Sequence, residues 1–203
     1  MVAIINYGMG NLASVKKALD LLKVESKITC DHQEIESSQC IILPGVGSFR
    51  QGMENLNQLG LVELLTDQVL VKKKPFLGIC LGMQLIFSEG TEPVDCAGLG
   101  WLEGKVIKFR DIDLRIPHMG WNSLNVVNDT FMRGHSNEDV YFIHTYHVVP
   151  KDLSVVAATT NYGFDVVASV QKENIFATQF HPEKSQVVGL SILEKFLKEH
   201  AQI

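Results

Sequence analysis

The sequence has no apolar run that approaches the roughly 20 residues needed by a membrane-spanning helix. Its first residues, Met1 to Tyr7, lack the basic start and the long apolar region of a secretory signal peptide. Hydrophobic residues make up 46% of the 203 residues and charged residues 20%, which is an ordinary globular composition and excludes a disordered chain. We therefore expect a folded protein of the cytoplasm with no membrane contact.

Basic clusters are equally scarce. The one basic run covers Lys72 to Lys74, and acidic residues outnumber basic ones by 23 to 18, so the formal net charge is −5. A nucleic-acid partner is therefore not expected.

Motifs for metals, disulfides and cofactors are missing too. His144 and His147 have no Cys or carboxylate cluster beside them, so we expect a structural role and no metal site. Tyr7 to Asn11 lacks the third glycine of a dinucleotide-binding loop, and no cofactor is predicted. No C-x-x-C spacing relates the four cysteines, Cys30, Cys40, Cys80 and Cys96. The remaining question is whether one of them is a nucleophile.

Short apolar runs alternate with amphipathic stretches in the first half of the chain. Strands are predicted over Val2 to Asn6, Lys27 to Cys30, Cys40 to Leu43 and Pro75 to Ile79, and this cadence favours a parallel sheet with helices on both faces. The second half has β-branched and aromatic runs with few helices between them, which predicts antiparallel strands before a last helix from Gln186. We expect one α/β domain over residues 1–203, with a mostly parallel, partly mixed central sheet flanked by helices.

The sharpest local signal is Gly78-Ile79-Cys80-Leu81-Gly82, between an apolar strand and an apolar helix. Such a context holds a nucleophile on a sharp turn, where flanking glycines avoid a steric clash. A helix N-terminus would favour the thiolate of Cys80, and the Leu81 N–H could bind an oxyanion. The alternative is a small buried core cysteine, and the pentapeptide alone leaves both interpretations open.

A base for this nucleophile is found near the end of the sequence. His181 follows the predicted strand Ile175 to Phe180, and functional groups collect at such strand ends. Glu183 would lie on the same side as His181 in an extended segment, where its carboxylate can orient the imidazole. Cys80, His181 and Glu183 are therefore a candidate catalytic triad.

Two glycines surround Val46 in Pro44-Gly45-Val46-Gly47, directly after a predicted strand. They permit unusual backbone angles and close approach of a ligand. Our hypothesis is that the Val46 N–H donates to the oxyanion beside the Leu81 N–H. An ordinary glycine-rich strand exit is the alternative.

Longer segments around these residues resemble the class I, or triad-type, glutamine amidotransferases. The likeness is greatest to members that act as glutaminase subunits of a synthase in histidine biosynthesis. The resemblance implies a flavodoxin-like fold and hydrolysis of L-glutamine through a Cys80 thioester, without a metal or an organic cofactor. The matching segments are Asn6 to Asn11, Pro44 to Gly47, Gly78 to Gln84, Pro117 to Asn122, Phe142 to Tyr146 and Ala177 to Ser185.

The resemblance also implies roles for single residues. Cys80 would be the nucleophile, His181 the base and acid, and Glu183 its orienter. Pro44 to Gly47 would form an oxyanion strand that has to reorient to become competent. Glutamine would be held by Gly47, Gln84, Glu92, Thr145 and Tyr146. Asn11 and Trp121 would face the synthase partner, a (β/α)8 barrel in this family.

Ammonia released into neutral water becomes ammonium and stops being a nucleophile. This predicts a heterodimer that passes ammonia through protein, with a glutaminase nearly silent until the partner binds its own ligand. Three alternatives stay open. They are the same chemistry serving a paralogous synthase, such as one that amidinates a surface-polysaccharide sugar, a free-standing γ-glutamyl cysteine hydrolase, and a non-catalytic binding module.

Overall fold

The computed structural model describes residues 1–110, 113–127 and 130–203, and within them fourteen strands form three sheets. The strands are β1 (Val2–Ile5), β2 (Ser26–Thr29), β3 (Cys40–Gly45), β4 (Phe76–Cys80), β5 (Phe87–Gly90), β6 (Cys96–Ala97), β7 (Leu102–Lys108), β8 (His118–Ser123), β9 (Asn125–Val126), β10 (Asp139–His144), β11 (Tyr146–Pro150), β12 (Val156–Asn161), β13 (Asp165–Lys172) and β14 (Ile175–Thr178).

Six α-helices are described alongside these strands. They are α1 (Leu12–Leu21), α2 (His32–Ser37), α3 (Phe49–Gln58), α4 (Leu61–Thr66), α5 (Leu81–Leu85) and α6 (Gln186–Glu199). A π-helical turn over Asp67–Val71 continues α4, and short 3-10 turns cover Leu153–Val155 and Pro182–Lys184.

The central sheet has eight strands in the order β2-β1-β3-β4-β14-β13-β12-β9. Its first five strands run parallel, and β1, β3 and β4 are buried along their whole length. Strands covered on both faces are continuous apolar runs, which is why the first half of the sequence shows them. The register pairs Gly45 with Cys80 and Ile79 with Thr178, so β3, β4 and β14 end at the same edge. The predicted parallel sheet is confirmed.

Beyond β14 the sheet becomes antiparallel through β13, β12 and β9, as the second half of the sequence predicts. The strand predicted over Ile175 to Phe180 stops earlier, at Thr178, whose hydroxyl donates to the Phe180 carbonyl oxygen (3.0 Å) and turns the chain. The helix that follows Cys80 has only five residues, because Phe87 already begins β5.

The other two sheets lie outside the central one. One has four strands in the order β11-β7-β5-β6, and the other is the β8–β10 ribbon, an antiparallel pair. The register of this ribbon sets His118 opposite His144.

Two hydrophobic cores cover the two faces of the central sheet. Ala3 and Ile5 point into one and Val2 and Ile4 into the other, as alternation along a strand requires. The first core is covered by apolar side chains of α3, α4 and α5, and the second by those of α1 and α6. Helices on both faces of a mixed sheet match the predicted α/β class.

Candidate active site

Cys80 ends β4 and immediately precedes α5, so it occupies the turn between them. Its backbone has φ 55° and ψ −107°, a strained conformation for a residue with a Cβ. The flanking glycines permit the turn. A Cβ on Gly78 would lie 2.7 Å from the Gly82 carbonyl oxygen, and a Cβ on Gly82 would overlap the Leu43 carbonyl oxygen. Strand, turn and helix are arranged as the pentapeptide predicts.

Cys80 is 6% exposed, and Gln179 and the Ile143 backbone contact its sulfur. Gln179 Nε2 donates to Sγ at 3.7 Å, and Sγ lies 4.0 Å from the Ile143 carbonyl oxygen. Sequence reasoning gave Gln179 no role, because only the pairing of β14 with β4 brings it beside the sulfur.

His181 and Glu183 form a buried pair, with 2.7 Å between His181 Nδ1 and Glu183 Oε1 and each side chain 2% exposed. The extended backbone expected between them is wrong, because Pro182–Lys184 forms a 3-10 turn. That turn folds the carboxylate back to the imidazole, and the Ser185 hydroxyl fixes it by donating to the His181 carbonyl oxygen (2.6 Å).

The imidazole of His181 is held in its protonated form. Burial lowers its pKa, but the negative charges of Cys80 and Glu183 outweigh burial and raise the pKa to about 9. Nδ1 is committed to Glu183, whereas Nε2 has no hydrogen-bond partner among the residues that the structure describes. The ring nitrogen opposite Glu183 is therefore available for proton transfer.

A cavity of about 350 Å³ opens at Cys80. Its walls include every residue predicted for the oxyanion or for glutamine: Val46, Gly47, Leu81, Gln84, Glu92, Thr145 and Tyr146. Four further residues line it without a sequence assignment: Ser48, Pro117, Ile143 and His144. The cavity thus lies between the carboxyl ends of β3 and β4 and the corner that joins β10 to β11.

Gln84 and Glu92 are held in this cavity by hydrogen bonds. Gln84 Nε2 donates to the Tyr146 carbonyl oxygen (3.1 Å) and to Gln179 Oε1 (3.0 Å). Glu92 Oε2 accepts from the Phe49 N–H at 3.2 Å, and burial raises the pKa of Glu92. Burial and the charge of Glu92 also raise the pKa of Tyr146, so these two side chains share one part of the site.

The predicted oxyanion strand lies directly beside the nucleophile. Val46 follows Gly45, the partner of Cys80 in the β3–β4 pairing, and is 41% exposed. Sequence reasoning gave Tyr7 no role. Its hydroxyl lies beneath Gly45, and a Cβ on residue 45 would overlap this hydroxyl. Glycine is therefore required at position 45. Within the described part of the chain the Tyr7 hydroxyl has no hydrogen-bond partner, and burial and the charge of Cys80 raise its pKa.

The two predicted partner-facing residues do not line the cavity. Asn11 caps α1, since its Oδ1 accepts from the Ser14 N–H at 3.3 Å. Trp121 lies on β8, 48% exposed, with its ring edge-to-face against Tyr141 at a centroid distance of 6.0 Å.

Comparison with known proteins decides the family. The family model described as glutamine amidotransferase class-I matches residues 3–200. The chain belongs to the class I glutamine amidotransferases. The resemblance seen in the sequence motifs is confirmed.

Individual members of the class I glutamine amidotransferases agree with this assignment. The imidazole glycerol phosphate synthase subunit HisH 1 of Campylobacter jejuni is 49% identical, over 98% of this chain and 100% of its own length. The corresponding HisH subunit of Geobacter metallireducens is 47% identical, over 96% of each chain.

Solved structures confirm the amidotransferase fold. A crystal structure of a glutamine amidotransferase superimposes with a TM-score of 0.77 at 22% identity, covering 100% of both chains. The PurLQS structure from Thermotoga maritima gives 0.73 at 18% identity, covering 98% of this chain and 97% of that one. At these identities the likeness shows the fold alone.

Among the described residues no helix is long and apolar enough to cross a membrane. Nor do three or more His, Cys, Asp or Glu side chains within residues 1–110, 113–127 and 130–203 group as metal ligands.

Proposed function

We propose that this chain is the glutaminase subunit of an imidazole glycerol phosphate synthase and hydrolyses L-glutamine to glutamate and ammonia. Relatives with that subunit name are 44–49% identical over nearly their full length. The observation that carries the chemistry is the strained Cys80 turn, which opens into a cavity lined by all the predicted glutamine contacts.

The first chemical step forms a bond between the Cys80 sulfur and the side-chain carbonyl carbon of glutamine. Protonated His181 and the start of α5 favour the thiolate that attacks. The carbonyl electron pair moves to oxygen, which the N–H groups of Leu81 and Val46 bind. Loss of one such donor typically raises a barrier by ~3 kcal/mol.

The second step releases ammonia. His181 gives its proton to the leaving nitrogen, the C–N bond breaks, and a thioester remains on Cys80. Neutral His181 then takes a proton from water, which attacks the thioester and releases glutamate. Glu183 holds Nδ1 in place throughout (2.7 Å).

The cavity also supplies groups that match the other end of glutamine. Its α-ammonium is a cation, and Glu92 is a carboxylate on the cavity wall. We assign Glu92 to the α-ammonium, and Gly47, Gln84, Thr145 and Tyr146 to the rest of the substrate. The volume of about 350 Å³ lies at the small end of ligand pockets, as a small amino acid requires.

The proposal includes a partner, because the ammonia must reach its acceptor before it is protonated. We infer a (β/α)8-barrel cyclase subunit that docks against Asn11 and Trp121, and we place the heterodimer in the cytoplasm. Residues 1–203 act in it as one glutaminase domain. The oxyanion strand, Pro44 to Gly47, reorients when the partner binds its own ligand.

Affinity purification from native cells followed by a glutaminase assay tests the proposal. We expect a cyclase subunit to co-purify, glutamate release to rise by orders of magnitude when that subunit binds its ligand, and Cys80→Ala to abolish release. Equal turnover by the isolated chain would instead indicate a free-standing hydrolase. Capture of a synthase from another pathway would contradict the histidine assignment, and full activity in Cys80→Ala would contradict the mechanism.

A further inference from the structure

Two buried histidines of the β8–β10 ribbon take no part in the mechanism above. His118 and His144 face each other across the ribbon, with 3.0 Å between His118 Nδ1 and His144 Nε2. His144 Nδ1 lies 2.8 Å from the Tyr146 carbonyl oxygen, and His118 Nε2 lies 3.4 Å from Asn122 Nδ2. Asn122 Nδ2 also donates to the Asn161 carbonyl oxygen at 2.8 Å.

Every proton in this chain of contacts can be assigned. A carbonyl oxygen only accepts, so His144 carries its proton on Nδ1 and accepts on Nε2. His118 must then donate from Nδ1, which leaves its Nε2 to accept from the Asn122 amide. This assignment applies to neutral rings, which burial favours at both positions, and in it the hydrogen bonds run in one direction from Asn122 to the Tyr146 carbonyl. We call His118 and His144 the histidine relay.

The surroundings of the relay hold it in this form. The His118 ring is stacked between Phe142 and Tyr162, at centroid distances of 4.7 and 3.9 Å. Burial lowers the pKa of His118 to about 4 and is the main cause that lowers the pKa of His144 to about 3. Stacking fixes the ring of His118, and hydrogen bonds on both nitrogens fix the ring of His144, so the relay is a rigid spacer.

The relay ends on an atom that belongs to the substrate site. The Tyr146 carbonyl oxygen accepts from His144 and also from Gln84, whose amide in turn donates to Gln179. Gln179 donates to the Cys80 sulfur at 3.7 Å. The Tyr146 carbonyl is thus held by His144 of the ribbon on one side. On the other side Gln84 and Gln179 link it to Cys80.

We propose that His118 and His144 are positioning residues that set the Thr145–Tyr146 corner of the glutamine site through the Tyr146 carbonyl. This inference rests on the proposed glutaminase function. We assign this corner, which shares its part of the cavity with Glu92, to the part of glutamine that does not react. Displacing the corner therefore weakens the binding of substrate and transition state alike, which raises KM and leaves kcat nearly unchanged.

Three substitutions at one position separate the relay from packing. His118→Phe keeps a flat ring in the stack and removes both nitrogens. His118→Asn loses the ring, but its amide nitrogen can take the place of Nδ1 and donate to His144. His118→Gln reaches only the Nε2 position and replaces His118→Phe as the test should that variant not fold. The matched control is His147→Phe, a buried histidine stacked on Phe109 (4.8 Å) that is not part of the relay.

Glutaminase kinetics of the complex with its synthase subunit, with thermal midpoints for each variant, provide the test. For His118→Phe we expect KM for glutamine to rise about tenfold, the size of one lost buried hydrogen bond, with kcat within about threefold. His118→Asn should restore KM, and His147→Phe should leave it unchanged. Alkylation of Cys80 by iodoacetamide should proceed at the wild-type rate in all of them.

Several results would overturn the positioning role. One is an unchanged KM in His118→Phe, and another is an equal rise of KM in His147→Phe. A third is a fall in kcat that follows the thermal midpoint at constant KM, which is the result of a purely structural role. If the wild-type complex does not hydrolyse glutamine, the proposed function fails first and the relay proposal with it, so the two failures are distinguishable.

Discussion

Replacing Glu183 by Gln removes one of the charges that keep His181 protonated. Together with the charge of Cys80, this charge raises the pKa of His181 from 6.5 to about 9. Loss of one opposite charge at hydrogen-bond distance typically changes a pKa by one unit or more, so we expect Glu183→Gln to lower the pKa of His181 by about one pH unit.

The sign of the pH dependence follows from the role of His181 as general acid. The protonated form of the free enzyme is active, so kcat/KM is retained below the pKa of His181 and lost as the pH rises through it. Wild type should lose activity around pH 9, and Glu183→Gln about one unit lower. At pH 7 kcat should also fall, by roughly 10²–10⁴, since an amide can turn its NH₂ toward Nδ1 and impose the wrong tautomer.

The assay is glutamate release by the complex across pH 6 to 10, with wild type and Glu183→Gln in parallel. Glu173→Gln is the matched control, because Glu173 forms an exposed ion pair with Lys73 (2.7 Å). It should leave both kcat and the alkaline limb unchanged. An alkaline limb that stays in place when Glu183 becomes Gln would refute the electrostatic account of the pair.

Three further substitutions test the packing and the charge of the site. Gly82→Ala should lower the free energy of unfolding by about 3 kcal/mol, because the new methyl overlaps the Leu43 carbonyl. Its control is Gly52→Ala, in an ordinary helical conformation, which should stay within about 1 kcal/mol of wild type by calorimetry. Tyr7→Phe removes a hydroxyl that has no hydrogen-bond partner among the described residues, so denaturant unfolding should show a change within about 1 kcal/mol, and a larger loss would contradict the geometry. Glu92→Gln should raise KM for glutamine by roughly 10–100-fold with a smaller change in kcat, and an unchanged KM would remove Glu92 from the substrate site.

The sequence could predict the parts of the fold that are determined by short stretches of chain. The segment Gly78 to Gly82 predicts a turn between strand and helix. Gly78 avoids a steric clash within that segment, and Gly82 avoids one with the adjacent strand. The buried parallel strands are continuous apolar runs, so their alternation with helices indicated the sheet. The end of Ile175–Thr178 was misplaced because a side-chain hydrogen bond, not a change in hydrophobicity, ends the strand.

The contacts missed from the sequence depend on pairing between distant segments. His118 and His144 are 26 positions apart and meet only through the register of the ribbon, so neither had a local signal beyond its residue type. Gln179 and Cys80 are 99 positions apart and meet because β14 lies next to β4. The His181–Glu183 contact was expected for a wrong reason, since a 3-10 turn and not an extended segment brings the two together.

The site is built from two parts that are held by different kinds of contact. Cys80 and Gly45 are the last residues of β4 and β3, which are fixed by the backbone ladder of the central sheet. The glutamine corner follows β10, which lies outside that sheet.

Hydrogen bonds join the β8–β10 ribbon to the segment that carries His181. The His181 N–H donates to the Tyr141 carbonyl oxygen, and the Tyr141 N–H donates to the Ser185 hydroxyl, both at 3.0 Å. The ribbon is also anchored by Val140 and Phe142, which are fully buried in the second core. Trp121 lies on the same ribbon, which also contacts the Cys80 sulfur through the Ile143 carbonyl (4.0 Å), so a displacement at Trp121 would act on the proposed substrate corner, on His181 and on Cys80 together.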